Sequence, residues 1–250
     1  MKKILWTVLF LSLSQTVFAD PAPKKIFLGE KLTYQIFYLG VPIGESEAEV
    51  KEIVKMGNRQ AFHVVVKARS YRMIDLVYKV RDEHHSYIDT EKLYSLRYEK
   101  SLKEGKREVH QVIVMDQDMH FAHYENDDKN IQNVPIPNDA QDELSCGYWF
   151  RTLDVVPETS VWIPVHADKK NWRMEVRTHH LVPLKIKNTG QFEALEIEPL
   201  MDFQGVFVKR GKIRGWMSSR GRKIPLKMTV KIPVIGSVTA ELTSYRPGND

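Results

Sequence analysis

The sequence has a single cysteine, Cys146, in 250 residues. An intramolecular disulfide is therefore excluded, and the fold must be held by burial and hydrogen bonding. A nucleophilic thiol would need a paired His and a lowered pKa. The surrounding "DELSCGYWFRTL" offers neither, so Cys146 reads as a small buried residue on a helix. A charge field of one sign is also missing. The formal net charge is +5, with Lys and Arg interleaved among Asp and Glu as in "KSLKEGKREVH", which argues against nucleic acid as a partner. The one basic concentration, Lys209 to Lys223, reads first as a solvated hairpin surface, with contact to anionic lipid or polysaccharide as the lesser alternative.

Beyond residue 19 there is no apolar run of the roughly 18 to 20 residues a spanning helix requires. The beginning of the chain has a different character. Lys2 and Lys3 precede an apolar run from Ile4 to Leu13, and Val17, Phe18 and Ala19 supply a cleavage-like site, so residues 1–19 read as a signal peptide cut after Ala19. Loss of the two lysines takes the formal charge from +5 to about +3. No Cys follows the cut, so a lipid anchor there is unsupported. The expectation is a periplasmic or secreted protein, residues 20–250 forming one β-rich domain that does not span a membrane.

What is present is alternation. "KLTYQIFYL" puts Leu32, Tyr34, Ile36 and Tyr38 on one face, and "AFHVVVKARS" does the same with Phe62, Val64 and Val66, the period of half-buried strands. Glycines at 40, 57, 105 and 190 mark the reversals. Similar segments continue to Tyr245, including 212–218, 224–231 and 237–245, which predicts hairpins of one antiparallel system. One stretch breaks this pattern. After the loop "ENDDKNIQNVPIPNDAQ", spacing predicts a helix over about 139–153 with Asp139 as N-cap. A shorter turn at "YRMIDL" would let Met73, Leu76 and Val77 cap an open end of the sheet. The fold class expected is mainly β: a single antiparallel, strongly curved sheet or open barrel enclosing one α-helix, with two sheets joined by a linker as the alternative.

"VPIGESEAEV" (41–50) echoes "PVIGSVTAEL" (233–242). Glu45, Glu47 and Glu49 alternate with Ser46, Ala48 and Val50, which reads as scaffold with a wet face rather than as catalytic carboxylates. The adjacent histidine pairs, 84–85 and 179–180, point to opposite strand faces and cannot share a metal, and His120 and His123 are out of phase. A site drawn from different strands, such as His63 with His84, has no support from spacing, so no metal is expected. "VYKVRDEHHSYID" carries charge on both faces, and Arg81, Asp82 and His84 are candidates for a buried polar network. No Gly-x-Ser-x-Gly elbow, His-Glu-x-x-His helix or phosphate-binding glycine loop occurs. No catalytic residue and no cofactor is assigned.

"GEKLTYQIFYLGVPIGESEAEV", "LVYKVRDEHHSYID", "DELSCGYWFRTL" and "RKIPLKMTVKIPVIGSVTAELTSY", in this order, resemble the bacterial exported family known as domain of unknown function 3108. The similarity covers nearly all of the chain after residue 19. It implies an exported, β-rich cell-envelope protein with no established activity, cofactor or catalytic residue. Where the family commonly shows a Ser-Asp-Asp-like turn after Trp, this chain has Ser218, Ser219, Arg220 and Gly221, so no role for acids carries over there.

Aromatic residues are abundant. In a curved sheet around a helix they form either a filled core or a pocket for an acyl chain. Tyr34, Tyr38, Tyr148, Trp149 and Trp216 are the candidate ligand-binding residues. The leading expectation is a non-catalytic binder of an apolar or amphipathic ligand, lipid or lipoprotein. The alternatives are an assembly factor that binds another envelope protein at an exposed sheet edge, and a polysaccharide-acting enzyme.

Overall fold

The structure is a computed structural model that describes residues 26–125, 131–187, 189–203, 206–207, 212–232 and 236–249. The expected signal peptide lies outside the described residues. The strands are β1 (Lys31–Tyr38), β2 (Val41–Met56), β3 (Arg59–Ser70), β4 (Arg81–Asp89), β5 (Ser95–Glu104), β6 (Arg107–Asp116), β7 (Phe121–Glu125) and β8 (Ile131–Pro135). After the helix α1 (Ser145–Arg151) come β9 (Ser160–Ala167), β10 (Lys170–Ile186), β11 (Gly190–Phe203), β12 (Val206–Phe207), β13 (Lys212–Ser218), β14 (Pro225–Ile232) and β15 (Gly236–Arg246).

All strands belong to one antiparallel sheet in the order β8-β7-β6-β5-β4-β3-β2-β1-β15-β14-β13-β11-β10-β9, with β12 paired to β11. The meander is thus two halves, β1–β8 and β9–β15, joined where the first strand pairs with the last. The sequence echo falls at that join, because β2 and β15 flank β1 and Ile36 lies opposite both Gly44 and Ala240. A Cβ on Gly44 would come 2.4 Å from the Arg69 carbonyl oxygen. That glycine therefore lets β2 and β3 approach closely. Glu45, Glu47 and Glu49 form ion pairs with Arg69, Lys31 and Arg246 respectively. They are a ladder of partly exposed charge, as the scaffold reading requires.

The sheet is not closed by strand pairing, yet its two ends meet through other bonds. Gln141, in the connection between β8 and β9, forms a parallel bridge to Val165 of β9. The Tyr124 hydroxyl lies 2.7 Å from Nε2 of His166, the Lys169 amide donates to Tyr124 Oη at 2.9 Å, and Asn171 Nδ2 donates to the Pro135 carbonyl at 2.8 Å. Neither terminal strand is a long bare edge: β8 has five residues, and Gln141 occupies part of β9.

The helix is shorter than expected, seven residues instead of the predicted 139–153. Asp139 adopts φ 54°, incompatible with a helix start, and the capping is done by Asp142, whose Oδ1 accepts the amides of Leu144 and Ser145 at 2.7 and 2.8 Å. Its Oδ2 accepts the hydroxyls of Ser86 and Ser95, both at 2.6 Å, which fastens the cap to β4 and β5. The helix then serves both halves of the sheet. Tyr148 packs with Val50, Phe62, Val64 and Ile88, while Phe150 packs with Ile163, Val165, Trp172 and Met217.

The turn expected at "YRMIDL" is a 3-10 turn, Ile74–Leu76. It does not cap the sheet. Met73, Leu76 and Val77 are 82%, 89% and 88% exposed.

Candidate functional site

At the join of the two halves lies a buried ion pair. Nη1 and Nη2 of Arg151, the last residue of α1, each donate to a carboxylate oxygen of Glu30 at 2.7 Å. Arg151 Nε also donates to the Lys223 carbonyl at 3.1 Å, and the Tyr245 hydroxyl donates to Glu30 at 3.3 Å. Burial works against the Arg151 charge. The hydrogen bonds and charge of Glu30 outweigh that burial, so the guanidinium is held charged above its ordinary range. The pair ties the helix to the start of β1 and to the β13–β14 turn.

An apolar wall spreads from this join. Leu32, Leu226 and Leu242 form its buried floor together with Ile186 and Ala194 from the β10–β11 hairpin. A bulge between Thr178 and Leu181 shifts the β10–β11 register by one, so β11 gives Ile197 to the helix cluster but Phe192 and Ala194 to the wall. Before the bulge Trp172, Met174 and Val176 serve the helix cluster; after it Val182, Leu184 and Ile186 serve the wall. The wall is the least sealed of the large apolar clusters. It has five buried members and eight partly buried ones, among them Tyr34, Phe192, Trp216 and Tyr245. The cluster around Tyr98 and Tyr124 has seven and two. Next to the wall a groove of about 440 Å3 runs along the hairpin tip, lined by Val182, Leu184 and Phe192, which belong to both, and by Lys185 and Gln191.

Of the five aromatic candidates, the structure brings Tyr34 and Trp216 together on this wall. The Tyr34 hydroxyl donates to the Pro225 carbonyl at 3.0 Å, and burial raises its pKa. Tyr148 and Trp149 face the packed helix clusters on opposite sides, Tyr148 with its ring against the Arg151 guanidinium. Among the described residues Tyr38 is in none of the buried clusters, and it sits at the far end of β1, opposite Val41 and Val238. Phe192, Tyr245 and the Glu30–Arg151 pair are additions that the sequence reading did not make. Tyr245 lies opposite Leu32 only because a bulge at Thr33/Tyr34 shifts the register.

The three polar candidates do not form one hydrogen-bonded network: Arg81 points to the face opposite Asp82 and His84, and the latter two, though on one face and close enough to feel each other's charge, bond to different partners. Arg81 binds Asp75 through both nitrogens and reaches Ser70. Asp82 accepts the Lys103 amide at 3.0 Å, and burial raises its pKa. His84 pairs with the Tyr98 hydroxyl at 2.7 Å, and burial lowers its pKa. His63 meets His85 instead of His84: Nε2 and Nδ1 are 2.8 Å apart, and the His63 ring stacks on Tyr87.

The family model described as "Protein of unknown function (DUF3108)" matches residues 33–243. The chain belongs to this family. As a DUF3108 protein it has the open, barrel-like sheet described above, and no curated protein matches its sequence. Among solved structures, a β-barrel-like protein of the DUF1849 family from Brucella abortus superposes with a TM-score of 0.61 at 8% identity, over 90% of this chain and 99% of that one. At that identity the likeness shows the fold alone. An exported protein, so described, with a YmcC-like fold from Bacteroides fragilis gives a TM-score of 0.31 at 10% identity, over 89% and 99% of the two chains. A protein described as a lipoprotein, from Parabacteroides distasonis, gives 0.36 at 8%, over 91% and 100%. Among the described residues no helix is long and apolar enough to cross a membrane.

Proposed function

We propose that this DUF3108 protein is exported to the cell envelope and is a non-catalytic binder of an apolar or amphipathic ligand, a lipid or the acyl chains of a lipoprotein. The ligand lies against the wall of Tyr34, Trp216 and Phe192. The observation that carries the reading is the unsealed apolar cluster continuing into the groove at the β10–β11 tip. An acyl chain covering the partly exposed aromatics removes apolar area from water, at about 25 cal/mol per Å2. Lys185, Gln191 and Glu193 line the groove and offer polar partners of both signs for a headgroup. Export is supported by the basic, apolar and small-residue order of the first nineteen residues.

The test is native mass spectrometry and solvent extraction of the protein purified from the envelope fraction of its own host, with sequencing of its N-terminus. The expected result is an N-terminus at Asp20 and a co-purifying amphiphile. A fluorescent fatty-acid probe should bind the stripped protein and bind the Trp216→Ser variant about tenfold more weakly. A clean apo mass together with no probe binding would overturn the ligand reading, and an intact N-terminus would overturn export.

A further inference from the structure

The connection from β3 to β4 places apolar side chains in water and holds them there. Four of them, Met73, Leu76, Val77 and Tyr78, are between 51% and 89% exposed. They are nevertheless part of an ordered turn. The amides of Ile74 and Asp75 donate to the Tyr71 carbonyl, and those of Val77 and Tyr78 to the Ile74 carbonyl. Asp75 is clamped by Arg81 and by the Ser70 hydroxyl at 2.5 Å. Asp75 thus fixes the backbone of the turn, while Met73, Leu76, Val77 and Tyr78 project. The segment is also joined to its neighbours at this end of the sheet. The Tyr71 amide donates to the Ile43 carbonyl at 2.9 Å, two residues from the exposed Val41. On the other side the Gly105 amide donates to the Lys79 carbonyl at 2.8 Å, and a Cβ on Gly105 would come 2.9 Å from the Tyr78 ring.

Charge decides what covers this lip. Arg72, Lys79, Lys103 and Lys106 are exposed on the same end, and none of them forms an ion pair among the described residues. Arg69, Arg81 and Arg107 are matched by Glu45, Asp75 and Glu104. Asp82 and Glu108 are the acids there with no ion pair among the described residues, so the four cations outnumber them. Apolar side chains ringed by unmatched cations are complementary to an anionic lipid surface, where the apolar groups enter the acyl boundary and the cations meet headgroup phosphates.

We propose that the 71–80 turn docks this end of the barrel onto an anionic phospholipid bilayer. The docking surface is separate from the Tyr34–Trp216 wall and stands whether or not that wall holds a ligand.

The test is flotation of the purified protein with vesicles of phosphatidylethanolamine and phosphatidylglycerol, and with vesicles of phosphatidylcholine alone. Wild type should float with the anionic vesicles and not with the neutral ones, and raised salt should weaken the binding. Met73→Ser/Leu76→Ser/Val77→Ser should lose at least about tenfold in partitioning, because three exposed side chains no longer enter the lipid. Arg72→Glu/Lys79→Glu, which leaves the apolar residues in place, should lose binding as well. The substituted residues are solvent-exposed, and an unchanged melting temperature confirms the fold. The proposal is overturned if wild type does not float, if it floats equally with neutral vesicles, or if the triple variant floats like wild type. It is overturned too if the triple substitution converts a dimer to a monomer with no lipid binding in either, since the occupant is then a second copy of the chain.

Discussion

Tyr124 of β7 and His166 of β9 close the barrel across a 2.7 Å hydrogen bond between strands that do not pair. The proton can be assigned from the neighbours. Asn171 directs its amide nitrogen to the Pro135 carbonyl, so its oxygen faces His166 Nδ1 at 2.7 Å and accepts a proton from it. With burial favouring the neutral ring, Nε2 is then the acceptor and the Tyr124 hydroxyl donates to it.

Burial lowers the His166 pKa from its ordinary value of 6.5. The unfolded chain takes up a proton as the pH falls through about 6.5 and the folded protein does not, so stability declines on acidification. His84 and His85 are lowered in the same direction, also chiefly by burial. The melting temperature should fall between about pH 7 and pH 5.5, with a shallower slope in His166→Gln. Tyr124→Phe should cost about 1–3 kcal/mol in urea unfolding, since it strips the buried Nε2 and the Lys169 amide of their partner.

The Glu30–Arg151 pair should behave asymmetrically. Arg151→Met alone leaves a carboxylate that is 1% exposed without its cation, and should cost about 3–5 kcal/mol. Glu30→Leu/Arg151→Met removes both charges and should recover much of the loss. A double-mutant cycle by denaturant unfolding measures the difference, and equal losses in single and double variants would refute the pairing.

Two glycines give opposite expectations for the same change. Gly44→Ala drives a methyl against the Arg69 carbonyl and should destabilise the sheet strongly, whereas Gly147, inside α1, has open space where its Cβ would stand. Gly147→Ala should raise stability by up to about 1 kcal/mol through helix propensity. Thermal melts of the two variants decide this.

Cys146 should be unreactive while the protein is folded. Cys146 is half-buried rather than fully buried as expected, and its desolvation, with the Asp142 and Glu143 carboxylates nearby, pushes its thiol up to about 12. Alkylation followed by mass spectrometry should be slow at neutral pH and become fast in denaturant.

Much of this architecture is visible in the alternation of residues. The strand read at 212–218 is β13, and the enclosed helix lies within the segment where its spacing placed it. Reading fails where the pattern is interrupted. β10 spans two stretches, 172–178 and 182–186, that each alternate like a separate strand, because His179 and His180 sit in its bulge and break the period. β8 lies within a stretch that reads as loop, because Asn, Asp and Pro dominate "ENDDKNIQNVPIPNDAQ". The candidate site was only half legible. Tyr34 and Trp216 follow from strand periodicity, but Glu30 and Arg151 are 121 residues apart, and no local pattern announces a pairing across that distance.

The joining of the first strand to the last has a consequence in time. Thr243 on β15 donates its hydroxyl to the Thr33 carbonyl on β1, 210 residues earlier. As the chain emerges, each half can zip its own neighbouring hairpins, but the two halves have no strand pairing with each other until the final strand is delivered. Assembly of the whole sheet therefore waits on the last segment to arrive, and the loop that must then be closed is nearly the length of the protein. Until that moment β1 presents an unpaired edge, which makes the interval before completion the period in which the chain is most exposed to wrong partners.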